Sequence, residues 1–406
     1  MRAGGESDVG PSANAVMDAP WSGRPVALVH DWFQGYHGSE RVVETLADDV
    51  FAEASRVDVL TFHAARELLP PDLDSRIVRE SRLARLPGVR QVGHDPGRWR
   101  YLLPWMPHYF SSLDLSEYDL VVASSHACAL RARPPRAVPY VCYCHTPMRY
   151  AWLTDTDRGR VPGLRGAALR LSSGWFRRGD RAAARRPDRF VANSTAVRDR
   201  VQRFYGRRAD VVHPPVELDG AQRARSGARR HFLWVGRLVP YKRPGLVADA
   251  FHDLPHKLVM VGIGPREAAL RNHLPDNVEL RGWIPREELA RLYRESLGFV
   301  HVGEEDFGIT MVEALAGGAP VIALDAGGAR DIVRDGVDGA LIAEPSVAAI
   351  SAAVRRVADR DWDPEALATR ARRFSRERFV SRMRELVSET MRSGRRFESV
   401  DQGGIP

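Results

Sequence analysis

A chain of 406 residues is long for one hydrophobic core and suits two domains of about 150–200 residues each. Its 44% hydrophobic and 28% charged residues describe a soluble globular protein, and no apolar run approaches the ~20 residues that span a bilayer. The net charge of +8 suits acidic partners such as phosphorylated substrates, while the three cysteines, Cys128, Cys142 and Cys144, lack metal-site spacing and predict reduced core thiols in a cytoplasmic protein.

Nearly all the cations are arginine, and only Lys242 and Lys257 are lysine. Lysine offers a compact point charge where arginine offers a planar fork, so in this chain a lysine carries slightly more information. Residues 1–23 have neither the apolar centre nor the basic start of a secretory signal and read as a disordered leader. Residues 25–30 (PVALVH) are a strand, followed by a loop with Gly35 and Gly38 and a helix over 39–46, a geometry that lets backbone approach a phosphate. A tight turn capped by Ser39 explains the same stretch equally well. Another strand follows at 57–61, and 63–118 reads as irregular.

The segments 119–125 (DLVVASS), 140–144 (YVCYC) and 189–192 (RFVA) are buried strands, each ending in polar residues: His126, His145, and Asn193-Ser194. In an open parallel sheet, ligands bind outside the carboxyl ends of the strands, so these side chains are expected to face one crevice. Repetition of strand, loop and helix through residue 210 predicts a doubly wound parallel sheet, class α/β. The pattern breaks near 213–216, and the polar segment 217–230 reads as a linker. It restarts with strands at 231–238, 257–262 and 278–281 and helices at 244–251, 267–273 and 287–294. The expected domains are therefore 24–216 and 231–374, with a helix over 375–391 and a disordered tail over 392–406.

The stretch 297–328 (LGFVHVGEEDFGITMVEALAGGAPVIALDAGG) holds the densest chemistry. An apolar strand ends in Glu304, Glu305 and Asp306, then Phe307-Gly308 opens a helix containing Glu313, and a second strand runs over 321–324. A helix start with free N–H groups suits a phosphate, and neighbouring carboxylates suit sugar hydroxyls. A nucleotide-sugar meets both requirements.

The spacing Glu305-x7-Glu313, together with HDW…HGSER, YDLVVASSHA, YVCYCHTPMRYAW, FVANS, VVHPPV, VGRLVPYKR and EEDFGITMVEALA in that order, resembles family 4 of the retaining glycosyltransferases. The motifs look like the branch that contains bacterial mannosyltransferases of O-antigen, capsule and related envelope polysaccharides. The resemblance covers roughly residues 25 to 375. It implies a GT-B fold: two Rossmann-like domains facing across a cleft, with the last helix crossing back to the first domain. It further implies transfer of a hexose, mannose from GDP-mannose, onto a lipid-linked or polysaccharide acceptor.

By resemblance, Arg237 and Lys242 bind the donor diphosphate with backbone N–H groups around Phe307, Gly308 and Ile309. Glu305 holds sugar hydroxyls, Glu313 the ribose hydroxyls, and Ile284 lies near the base. Gly38 lets the first domain approach the diphosphate, and His145 either assists the transition state or shapes the pocket. The catalytic set is thus His145, Glu305, Lys242 and Arg237; the acceptor side falls to His37, His126, Arg149 and Asn193. His37 stands where relatives carry glycine, which narrows backbone freedom there. Retention by front-face attack and by double displacement both remain open.

No metal or other cofactor is expected, because Arg237, Lys242 and the helix end supply positive charge; the pair Asp155 and Asp157 has metal-type spacing but lies in a polar loop. Residues 163–186, with Leu164, Ala168, Leu171 and Trp175 at helical spacing among arginines, suit contact with an anionic membrane at the inner face of the plasma membrane. Packing of that face on the sheet is the competing reading. An epimerase of the same fold is the alternative function. A nucleic-acid-binding protein fits less well, since the arginines are dispersed and the acidic loop repels phosphate. A dehydrogenase fits least, because Gly262-x-Gly264 lacks the third glycine and the downstream acid.

Overall fold

The computed structural model describes residues 19–89, 98–152, 163–218 and 229–393. Most of the expected leader and linker, Asp155, Asp157 and the tail beyond Ser393 lie outside the described residues.

Two parallel sheets form the frame. The first has seven strands in the order β3-β2-β1-β4-β5-β6-β7: β1 (Pro25–His30), β2 (Arg56–Thr61), β3 (Ile77–Glu80), β4 (Leu120–Ser125), β5 (Tyr140–Cys144), β6 (Arg189–Ala192) and β7 (Asp210–Val211). The second has six in the order β10-β9-β8-β11-β12-β13: β8 (His231–Val235), β9 (Leu258–Val261), β10 (Val278–Arg281), β11 (Ser296–His301), β12 (Val321–Leu324) and β13 (Gly339–Ile342). Both orders reverse next to their first strand, between β1 and β4 and between β8 and β11, and such reversals open a crevice at the carboxyl ends of the strands. The central strands are largely apolar and buried along their length because both faces of each sheet are packed. This is the two-domain Rossmann-like architecture that the resemblance implied.

The last helix, Arg376–Ser393, returns to the first domain. Phe379, Met383, Leu386 and Val387 join the core formed by Val26, Leu28, Val42 and Val141. Arg384 donates to the carbonyls of Asp49 and Val50, each at 3.1 Å, and to Glu53, while Arg376 pairs with Asp49. The helix therefore ties the end of the chain to its beginning.

Several elements differ from the sequence pattern. The stretch 63–118 is not irregular throughout: it contains β3 and the helix Met106–Ser111. β3 carries Arg79 and Glu80 at the sheet edge, so it shows no buried alternation that would mark a strand. The strand expected over 231–238 ends at Val235, because Gly236 and Gly262 bring two backbones so close that a Cβ on Gly262 would lie 1.9 Å from the Gly236 oxygen.

Candidate active site

Strand register lines up the rim of the first domain. Ser125 pairs with Cys144, and Cys144 with Ala192, so His126, His145 and Asn193 leave adjacent strands side by side. His30, at the end of β1, pairs with Ser124. Three imidazoles thus cluster, with ring centroids 5.6 Å apart for His30–His126, 6.1 Å for His126–His145 and 6.4 Å for His30–His145. Ser124 links two of them: its Oγ lies 3.1 Å from His30 Nδ1 and 2.8 Å from His145 Nε2. Burial, reinforced by His126, pushes His30 down to about 3. Burial, with His126 and His30 adding to it, also holds His145 well below the ordinary histidine range. His145 is therefore neutral at physiological pH and offers a hydrogen bond rather than a charge.

Asp31 organises this rim. Its buried carboxylate accepts the backbone N–H groups of His126 (2.6 Å), Ala127 (2.9 Å), Cys128 and Ala129 (2.7 Å), fixing the turn after β4. Ionised acceptors make the stronger hydrogen bonds, and here one side chain satisfies a whole turn.

In the second domain Lys242 and Glu305 meet, with Nζ 2.9 Å from Oε1, and His301 Nε2 lies 3.4 Å from the same oxygen. Burial resists ionisation of Glu305, but the Lys242 charge and the contact with His301 outweigh it and hold the carboxyl far below its usual range. Burial likewise disfavours the Lys242 ammonium, and attraction to Glu305 prevails and raises it. Both are charged at neutral pH. Lys242 is seated among glycines: a Cβ on Gly303 would lie 3.0 Å from its Cα, and one on Gly236 3.1 Å from its Cδ. The next residue, Arg243, adopts φ 53°, a left-handed conformation uncommon for a side-chain-bearing residue.

The helix Ile309–Ala316 starts beside this pair, opened by Gly308 at φ 106°. A side chain on Gly308 would meet Met311, so only glycine permits the turn. Phe307 is buried, its ring stacked on that of His213 with centroids 5.3 Å apart. One turn into the helix, Glu313 accepts from Tyr293 Oη at 3.1 Å and faces Arg41 of the first domain at 3.6 Å. Burial raises Glu313, opposed by Arg41 and Tyr293.

The two domains approach at these same points. A Cβ on Gly38 would lie 2.6 Å from Ile309 Cδ1, and Arg41, one turn later, faces Glu313, one turn after Ile309. Two helix starts therefore run together across the cleft. His37 precedes its helix, closes a capping box with Glu40 at 3.1 Å, and is lowered by burial and by the charges of Arg237, Arg41 and Lys242. Further along, Arg149 holds Asp306 through two bonds of 3.2 and 2.9 Å, and Arg200 holds Asp306 and, at 2.8 Å, Glu304.

Two family models divide the chain: Glycosyltransferase Family 4 matches residues 36–219, and Glycosyl transferases group 1 matches 217–374. This chain belongs to glycosyltransferase family 4. Among curated proteins it is similar to D-inositol 3-phosphate glycosyltransferase of Mycobacterium sp. (strain JLS), 32% identical over 240 residues that span 52% of each chain. The enzyme of the same name from Mycobacterium bovis (strain BCG / Pasteur 1173P2) is 33% identical over 238 residues, 52% of this chain and 47% of that one. The chain thus spans about half the length of the curated relatives it matches. Its fold is similar to crystal structures of Anabaena HepE with UDP (TM-score 0.62, 18% identity, 91% of this chain and 100% of that chain). It is equally similar to WaaG, a glycosyltransferase involved in lipopolysaccharide biosynthesis (TM-score 0.62, 18% identity, 91% and 100%).

The cleft between the two domains gathers Gly38, His37, Lys242, Glu305, Gly308, Ile309 and Glu313, and exposed Arg237 stands close enough for its charge to act on His37 and Glu40. Ile284, half-buried, borders the core on which Glu313's helix packs, beside Trp283, which is 74% exposed. Two residues assigned to the acceptor side are engaged otherwise. Asn193 is buried, with its amide donating to the His145 carbonyl at 3.0 Å, and Arg149 is tied to Asp306. Sequence reasoning passed over His30, Asp31, Arg41, Arg200 and His301. Of these His30, Asp31 and His301 carried a signal, as polar residues at a strand end. A surface depression lined by Asp249, His252, Asp253 and Asn277 contains none of the site residues.

In the helix Gly163–Ala183, Trp175 is 57% exposed, whereas Arg177 donates to the Ala151 carbonyl at 2.6 Å and Arg181 to that of Phe204 at 3.1 Å. The side chains of Leu164, Arg165, Ala168, Arg170 and Leu171 lie outside the described residues.

Proposed function

We propose that this protein is a retaining hexosyltransferase that moves mannose from GDP-mannose onto a lipid-linked or polysaccharide acceptor. The observation that carries the reading is the Lys242–Glu305 contact of 2.9 Å beside the start of the helix Ile309–Ala316. One position there offers a cation and free N–H groups to a diphosphate and, within a residue's reach, an anion to sugar hydroxyls.

Cleavage of the bond between the anomeric carbon and the β-phosphate builds positive charge on the sugar and negative charge on the leaving group. Arg237, Lys242 and the backbone around Phe307 to Ile309 stabilise the leaving diphosphate, so no metal is required. Glu305, ionised at neutral pH, accepts sugar hydroxyls and faces the developing positive charge. Glu313 accepts the ribose hydroxyls, and the base lies near Ile284. Neutral His145 supplies a hydrogen bond near the transferred sugar. In front-face attack a phosphate oxygen takes the acceptor's proton, and no protein base is needed.

The enzyme works in the cytoplasm, at the inner face of the membrane, where Trp175 and the exposed Arg178 contact anionic lipid. Among the described residues no helix is long and apolar enough to cross a membrane.

The test is a binding and hydrolysis screen of GDP-, UDP- and ADP-sugars. UDP-glucose, found with HepE, is the rival donor, and inositol phosphate, after the mycobacterial relatives, the rival acceptor. Glu313→Ala is expected to weaken donor binding and Lys242→Ala to abolish turnover. Unchanged kinetics in both would refute the site. Conversion of the sugar with no acceptor present would favour the epimerase.

A further inference from the structure

The acidic loop after β11 divides its labour among three consecutive carboxylates. Glu305 turns toward Lys242 and His301 within its own domain. Its neighbours turn the other way, across the cleft. Asp306 receives Arg149 Nε and Nη2 at 3.2 and 2.9 Å and also Arg200, and Glu304 receives Arg200 Nη2 at 2.8 Å. Ser194 Oγ donates to the Asp306 carbonyl, so the backbone is held as well. The arginine side chains are only 17% and 12% exposed, which places these pairs away from full solvent screening.

We propose that Arg200, with Arg149, is a positioning residue for Glu305. By gripping both flanking carboxylates, the two arginines fix the backbone between them and with it the direction of the Glu305 side chain. Because they belong to the first domain, Glu305 is correctly aimed only when the domains are together. The geometry thereby couples domain closure to recognition of the sugar half of the donor. Arg200 touches neither Lys242 nor Glu305, and its effect passes entirely through the loop. The inference rests on the donor-site reading above, in which Glu305 binds the sugar.

The test compares Arg200→Ala, Arg200→Lys, Glu305→Gln and the double variant Arg200→Ala/Glu305→Gln in the full chain. Binding is measured by calorimetry for GDP-mannose against GDP, or UDP-glucose against UDP if the wild type binds that donor. Thermal melts establish that each variant is folded. Arg200→Ala is expected to leave nucleoside diphosphate affinity within about twofold, erase the extra affinity contributed by the sugar, and lower kcat/KM by about 10- to 100-fold, the scale of a misplaced reactive group. Arg200→Lys is expected to recover part of the loss, since one point charge cannot grip two carboxylates as a fork does. In the Glu305→Gln background, Arg200→Ala is expected to add no further loss of sugar-dependent affinity. Equal losses in both backgrounds, an unaffected Arg200→Ala enzyme, or equal weakening of diphosphate and nucleotide-sugar would overturn the positioning role. Wild-type behaviour of Glu305→Gln, or binding of neither donor by the wild type, would overturn the donor site itself.

Discussion

Replacing Lys242 by methionine removes the cation from Glu305 while keeping most of the side chain's length and volume. In the wild type the two side chains are 13% and 20% exposed and 2.9 Å apart, so the pair is largely desolvated. Breaking a buried pair by deleting one partner costs about 3–5 kcal/mol, and partial access of water to this cleft places the cost near the lower end, roughly 3 kcal/mol. The pH dependence follows from the direction of each shift. Glu305 is depressed in the folded state, so its stabilisation is present above the ordinary carboxylate range and lost as pH falls through the depressed folded value. Lys242 is raised, so its share persists up to its ordinary titration range and is lost as pH rises beyond it. In the variant, burial of Glu305 is no longer offset by a cation. Its carboxyl then rises, and the folded state is penalised at neutral pH but less so in acid. For a domain of this size about 3 kcal/mol corresponds to a fall in Tm of roughly 6–12 °C. Calorimetric melts at pH 7.5 and pH 5 are expected to show a larger gap between wild type and Lys242→Met at pH 7.5, with Lys242→Met/Glu305→Gln recovering most of the stability. A gap independent of pH, or no recovery in the double variant, would refute this electrostatic account.

Gly38→Ala adds a Cβ 2.6 Å from Ile309 Cδ1, so closure is expected to be held open and donor kcat/KM to fall about tenfold, with little change in Tm. Ile309→Val removes that same Cδ1, and its combination with Gly38→Ala should restore most of the activity; steady-state kinetics on the three variants decide the matter. Glu40 is the opposite case to Glu305, since burial lifts its carboxyl from 4.5 to about 7, partly countered by its hydrogen bonds and by Arg237. The folded state therefore loses up to roughly 3 kcal/mol as pH rises from 4.5 through 7. Glu40→Gln, which keeps an acceptor for His37 N–H, should be more stable than wild type at pH 8 and nearly equal at pH 4.5. Melts showing the same difference at both pH values would contradict it.

Much of this architecture was legible because buried parallel strands announce themselves as short apolar runs, as YVCYC and VIAL do. The strands missed, such as β3 with Arg79 and Glu80 and the two-residue β7, lie at sheet edges, where burial imposes no pattern. Strand-end residues were legible for the same reason, since polar side chains immediately after an apolar run mark the rim of the sheet. His126 and His145 were found this way. Asn193 was found too, but a strand-end position does not distinguish a side chain facing the crevice from one spent on a neighbouring carbonyl.

What the sequence determined alone is the set of local rules: which segments are strands, where glycines permit tight backbone, and that Glu305 and Glu313 flank a helix start. Which charge meets which partner was decided only by the tertiary structure. Arg41, Arg149 and Arg200 look alike among the dispersed arginines, yet folding brings the first to Glu313 and the other two to Asp306. The physical reason is range. Backbone preference and burial act within a few residues, and their pattern survives in one dimension. An ion pair between residues 106 positions apart, as for Arg200 and Asp306, depends on how two separate sheets dock, which no local spacing encodes.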